Sequence, residues 1–226
     1  MNRWIGILAA LAVVAVGGWF AFGSVGEGTP GATSINPIGA ANAQENGEDI
    51  DTSGIVEMQI GNPDAPVTMI EYASYTCPHC ANFHNGQFKQ LKKEYIDTGK
   101  INFIYREVYF DRYGLWASAL ARCAGPDKFF GMTDMIYADQ QSWSRAGDPA
   151  AIVEELRKIG RLAGLESDQI EACMQDGDKM RSLVAWYQEN AEADGISSTP
   201  SFVINGNLHS NMGYNQMKDI LDAAGS

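Results

Sequence analysis

Cys77-Pro78-His79-Cys80 sets two thiols one helical turn apart, just behind the run Val67-Thr68-Met69-Ile70-Glu71-Tyr72-Ala73-Ser74. That run reads as a buried strand, since most of it is apolar or β-branched. Beyond Cys80, apolar residues recur at Phe83, Phe88, Leu91, Tyr95 and Ile96 among Lys and Gln, a helical spacing that predicts a helix from Cys80 through Tyr95. Cys77 then falls at a helix N-terminus, where free backbone N–H groups and the positive end of the helix dipole stabilise an anion. Pro78 suits the first turn, where a missing N–H costs nothing, and a protonated His79 adds positive charge. An exposed thiolate with a second thiol one turn away can attack a disulfide or be released from a mixed one.

The same spacing is half of a zinc site, and His84 lies four residues beyond Cys80. A closed structural site needs further soft ligands, and the other two cysteines, Cys123 and Cys173, are distant in sequence. Strand-then-helix placement favours redox chemistry over metal binding, so no metal site is expected. Glu71 lies on a strand covered on both sides, six residues before Cys77. A desolvated carboxyl there could exchange a proton with the thiols; the alternative is a carboxylate paired with a lysine or lying at an exposed strand end.

These residues need elements to hold them. Ile55-Val56-Glu57-Met58-Gln59-Ile60 alternates weakly as an edge strand, and Gly61-Asn62-Pro63-Asp64 reads as a turn. The Val67 strand, the following helix and Ile101-Asn102-Phe103-Ile104-Tyr105-Arg106 form a strand-helix-strand unit, whose long connection implies parallel pairing and an α/β core. From Tyr113 to Asp194 the pattern is helical throughout, with Asp148-Pro149 and Ser167-Asp168 as starts. Strand returns at Ser198–Ile204, Asn205-Gly206 turns the chain, Leu208-His209 pairs back, and a helix spans Tyr214 to Ala224. The expected organisation is a core of residues 55–112 and 195–226 with a helical insert at 113–194.

The 226 residues are 45% hydrophobic and 19% charged, as expected of a folding chain, and the net charge of −12 argues against nucleic acid as a partner. Ile5 to Phe22 is uncharged, follows Arg3, and is expected to direct residues 1–22 to a membrane as a cleavable signal or as an anchor. Ala41-Asn42-Ala43 has the form of a cleavage site but lies far beyond the apolar run. Residues 23–54 have the Gly, Ala, Ser and Asn content of a tether. Either outcome places the cysteines outside the cytoplasm, and there a Cys123–Cys173 bridge is expected.

Glu71-Tyr72-Ala73-Ser74-Tyr75-Thr76-Cys77-Pro78-His79-Cys80, the long helical stretch, and Thr199-Pro200 followed by an apolar strand and Asn205-Gly206 together resemble the DsbA-like thiol:disulfide oxidoreductases of the thioredoxin superfamily. The resemblance runs from Ile55 to the C-terminus. It implies a thioredoxin fold with an inserted helical subdomain, and a periplasmic dithiol oxidase whose redox centre is the cysteine pair itself, with no other cofactor. It makes Cys77 the exposed nucleophile, Cys80 its buried partner, His79 a stabiliser of the thiolate and Glu71 the buried acid. Pro200 is then a cis-proline, and Pro78, Thr199 and Pro200 form the substrate-contacting set. The implied partners are folding exported proteins with free thiols and a quinone-linked membrane protein that reoxidises the pair, with self-anchoring in the inner membrane a further possibility. A disulfide reductase or isomerase, and an extracytoplasmic metal-binding module using the cysteine pair, are the competing readings.

Overall fold

The structure, a computed structural model, describes residues 50–226. The expected membrane-directing segment at 1–22 and the tether up to residue 49 lie outside the described residues. Among the described residues no helix is long and apolar enough to cross a membrane.

Five strands form one mixed sheet in the order β1-β3-β2-β4-β5. They are β1 (Met58–Gly61), β2 (Val67–Ala73), β3 (Ile101–Glu107), β4 (Ser201–Ile204) and β5 (Asn207–Ser210). β2 and β3 pair in parallel, as the long connection between them requires, and the other neighbours are antiparallel. β1 begins later than its sequence pattern suggests, because Ile55 N–H donates to the Thr52 carbonyl and curls residues 52–55 into a turn. It ends at Gly61, whose φ of +108° and whose 2.5 Å approach of a built Cβ to the Ile101 carbonyl leave room for glycine alone.

The expected single helix after Cys77 is broken. It consists of α1 (Pro78–Asn85), α2 (Gln87–Leu91) and a π turn over Lys92–Ile96. The break lies at Gly86, which adopts a φ of −120° and ψ of −89°, outside the helical region. The two pieces still present Phe83, Phe88 and Leu91 to the sheet, where Phe83 meets Phe202 at 5.0 Å and Phe88 meets Phe103 at 5.1 Å between ring centroids.

Between β3 and β4 lie α3 (Arg112–Cys123), α4 (Pro126–Ala138), α5 (Gln140–Trp143), α6 (Pro149–Leu162), α7 (Ser167–Gln175) and α8 (Gly177–Ala193), and α9 (Tyr214–Ala224) closes the chain. Asp111 caps α3 by accepting from Tyr113 and Gly114 N–H, and Asp148 caps α6 by accepting from Ala151 N–H. The helices are fixed to the sheet by a buried bidentate pair, in which Arg122 of α3 donates to both Glu107 carboxylate oxygens of β3 at 2.7 and 2.6 Å. Cys123 and Cys173 are bridged, joining the end of α3 to α7 with their Cα atoms 5.9 Å apart.

Closing a loop of 50 residues restricts the unfolded chain, so Cys123→Ala/Cys173→Ala should lower the unfolding free energy by about 4 kcal/mol in the loop-entropy description. Urea denaturation of both proteins at equal redox poise measures it; equal stabilities would mean that the bridge constrains little.

Candidate active site

β2, the central strand, delivers the chain to one end of the sheet and Ser74-Tyr75-Thr76 turns it into α1. Cys77 N–H donates to the Ser74 carbonyl at 3.0 Å, and the Thr76 hydroxyl donates to Asp111 Oδ2 at 2.7 Å. Asp111 therefore caps α3 and ties down the residue before Cys77 together. Cys77 is the N-cap of α1, with an extended φ of −82° and ψ of 119°, Pro78 follows in the first turn, and the Cys77 carbonyl accepts Ala81 N–H at 3.1 Å. This cap geometry leaves first-turn N–H groups free to face the sulfur.

Thr199-Pro200 is a cis peptide immediately before β4, and it comes against the thiol from 122 residues away: in its protonated form Cys77 Sγ–H donates to the Thr199 carbonyl at 3.6 Å. Cys77 is consequently 7% exposed, not open to solvent as expected of a nucleophile, and Cys80 is fully buried. Both are free thiols. Their acidities are driven apart. The Cys77 thiol falls from 9.0 to about 5, chiefly because its thiolate accepts a hydrogen bond from Cys80; burial opposes this, and the Thr199 side chain and the backbone N–H groups of Cys80 and His79 assist it. Cys80 is pushed far above the ordinary thiol value by burial, then by its hydrogen bond to Cys77 and the nearby charge of Glu71. The His79 side chain is exposed, and its backbone N–H is among the groups that support the thiolate.

Glu71 is fully buried, and its partner is neither lysine nor water-exposed backbone but His84, with Nε2 and Oε2 2.9 Å apart. The imidazole is stacked on Tyr137 at 4.4 Å and lies 4.6 Å from Phe88, centroid to centroid. Among the described residues Glu71 Oε1 and His84 Nδ1 have no hydrogen-bond partner. The histidine that a metal reading would use is thus turned toward the buried acid. Among the described residues no group of three or more His, Cys, Asp or Glu side chains is placed to hold a metal ion.

The structure therefore gathers Cys77, Pro78, His79, Cys80, Thr199 and Pro200 at one sheet end, with Glu71 beneath. The sequence pattern did not point to Asp111, to His84 as the partner of Glu71, or to Gln140. Asp111 had a detectable mark as a helix-capping residue, whereas a single buried Gln in a four-residue helix has none.

A mixed sheet with a strand-to-helix cysteine pair facing a cis-proline defines a thioredoxin-fold protein. The family model described as Thioredoxin matches residues 53–223, and the chain belongs to this family. Within it the chain is DsbA-like. It is 36% identical over 169 residues to a Rickettsia bellii protein provisionally named a protein-disulfide oxidoreductase, covering 74% of this chain and 64% of that protein. It is 26% identical over 172 residues to disulfide bond formation protein D of Bacillus subtilis, covering 72% and 74% of the two chains. The crystal structure of Wolbachia pipientis alpha-DsbA1 superposes with a TM-score of 0.69 at 29% identity, covering 74% of this chain and 90% of that one. The chain spans 64% or less of the length of the Rickettsia relatives it matches.

Three measurements probe the site. Iodoacetamide should modify Cys77 of the reduced protein with a rate midpoint near pH 5; a midpoint near 9.0 would show that the hydrogen bonds do not outweigh burial. The sign for stability follows from the same values. With the folded value depressed below the unfolded one, the reduced protein holds this stabilisation in full above about pH 9 and loses it as pH falls to about 5, while the disulfide form shows no such dependence. His84→Leu, which strands the buried Glu71, should cost about 1–3 kcal/mol in urea unfolding, and Glu71→Gln, which keeps an oxygen within reach of His84, should cost less. Equal losses would mean that the two side chains do not act as a pair.

Proposed function

We propose that this chain is a thiol:disulfide oxidoreductase that donates the Cys77–Cys80 disulfide to exported polypeptides as they fold. The observation that carries this reading is the placement of two free thiols in one turn of helix, Cys77 at the helix start against the Thr199 carbonyl and Cys80 buried behind it. The names of the Rickettsia, Bacillus and Wolbachia relatives support it.

A substrate thiolate attacks Cys77 Sγ of the oxidised pair. The new bond joins the substrate sulfur to Cys77, the Cys77–Cys80 bond breaks, and its electron pair leaves on Cys80. A thiolate is disfavoured at that buried position, so Cys80 takes up a proton that comes ultimately from solvent. A second substrate thiolate then attacks the first substrate sulfur and expels Cys77 as a thiolate. Its depressed pKa makes it a good leaving group and favours the reduced enzyme, so the pair is oxidising. The substrate loses two electrons and the pair gains them, and no cofactor beyond the pair takes part. Thr199 and Pro200 flank the sulfur and supply backbone to an extended substrate segment, with Pro78 on the exposed side.

In this reading residues 55–112 and 195–226 carry the chemistry and the helices of 113–194 cover it. Residues 5–22 export the protein or tether it at the outer face of the cell membrane, where a quinone-linked membrane protein returns the pair to the disulfide. The Cys123–Cys173 bridge accords with an oxidising compartment.

Equilibration of the full chain with glutathione buffers tests the direction of electron flow. The Cys77–Cys80 potential should lie above the glutathione poise of roughly −220 to −260 mV. The oxidised protein should also form disulfides in a reduced, unfolded protein substrate, and Cys77→Ser should abolish this. A potential below that range would make the chain a reductase.

A further inference from the structure

Gln140 is a buried polar side chain that the chemistry above does not use. It belongs to α5, between the longer helices α4 and α6, and 5% of its surface is exposed. Its Nε2 donates to the Tyr75 carbonyl at 2.8 Å and to the Cys77 carbonyl at 2.9 Å, so both amide hydrogens are spent on the backbone on either side of Thr76. The base of this clamp is firm: Trp143, on the same short helix, is fully buried and donates Nε1–H to the Ile136 carbonyl at 2.9 Å.

We propose that Gln140 is a positioning residue for the redox reaction: it holds the Cys77 carbonyl so that the sulfur stays over the free N–H groups of the first turn, and through it the helices between β3 and β4 set the reactivity of the thiol. The inference rests on Cys77 being the attacked sulfur.

The extended cap conformation of Cys77 directs its carbonyl to Ala81 N–H and its side chain toward the N–H groups of His79 and Cys80. With Gln140 on the same carbonyl, rotation of the Cys77–Pro78 peptide would break two hydrogen bonds, so the cap is held in one arrangement. Among the described residues no other helix beyond β3 reaches the carbonyls of this turn with a side chain. The titratable and charged groups around Cys77 are Cys80 and the exposed His79 on α1, Glu71 with His84 beneath, and Asp111 through Thr76, and all remain when Gln140 is changed.

Gln140→Met keeps the length of the side chain and removes both donors. In the reduced protein it should raise the midpoint of Cys77 alkylation by about one unit, a tenfold loss of thiolate preference. In the glutathione equilibrium the pair should become about tenfold less oxidising, a fall of about 30 mV for this two-electron couple. Should the Met variant not fold, Gln140→Asn, whose amide is one methylene too short to reach both carbonyls, should shift both readings in the same direction by a smaller factor. A folded variant of lowered melting temperature whose alkylation midpoint and potential match the wild type would overturn the proposal and leave Gln140 a purely structural group. The potential of the wild-type protein tests the donor reading, whereas the difference between variant and wild type tests Gln140, so the two can fail separately.

Discussion

A sulfur nearly closed off from water can carry a charge only where hydrogen-bond donors replace the water, and the position of each cysteine along one helix turn decides whether it has them. Cys77 is the cap residue, facing first-turn N–H groups that no carbonyl claims; Cys80 lies one turn further in. Burial opposes ionisation of both thiols. At Cys77 the donors outweigh it, with the Cys80 thiol the largest contributor, and at Cys80 nothing does. The asymmetry therefore depends on where each thiol sits along the helix turn, with Cys80 itself the largest donor to Cys77. The Ser74–Cys77 turn, the Thr76–Asp111 contact and the Thr199-Pro200 segment all serve to keep that helix start in place.

The local part of this arrangement was legible in the sequence. A β-branched apolar run followed by Cys-Pro-His-Cys and a helical repeat identifies the strand-to-helix turn, and Asp148-Pro149 and Asn205-Gly206 mark a helix start and a hairpin that the structure contains. What escaped was of two kinds. Periodicity carried one helix through Gly86, because the apolar positions on either side continue nearly in phase while the backbone at the glycine does not. The near-complete burial of Cys77 was also invisible, since the covering carbonyl arrives from Thr199, and nothing in the spacing near residue 77 reports what folds over it.

Glu71 shows the same limit in another form. Its placement on a strand covered on both faces was readable, but its partner was not, because His84 lies on α1 and meets it only after the helix docks on the sheet. The choice of a histidine has a physical consequence. A lysine would bring a permanent charge into an aromatic enclosure formed by Tyr137, Phe88 and Phe83, where removing an ammonium from water is expensive. An imidazole instead stacks on those rings and meets the carboxyl with one ring nitrogen, so the acid near Cys80 is fixed in place without an ammonium in the enclosure.

The helices between β3 and β4 then have more than a covering part. Two of their polar contacts with the sheet domain are buried and directional: Arg122 on the Glu107 carboxylate, and Gln140 on the Tyr75 and Cys77 carbonyls. The first fixes α3 to the end of β3, next to Val108–Asp111, and Asp111 is the residue that holds Thr76. The second holds the carbonyls on either side of the same threonine. The turn before Cys77 is therefore gripped from α3 and from α5 at once, and a displacement of the helices against the sheet would strain both grips. Hydrogen bonds of this kind depend steeply on distance and angle, so small shifts of the helical layer would reach the sulfur through its backbone without any side chain of that layer touching it.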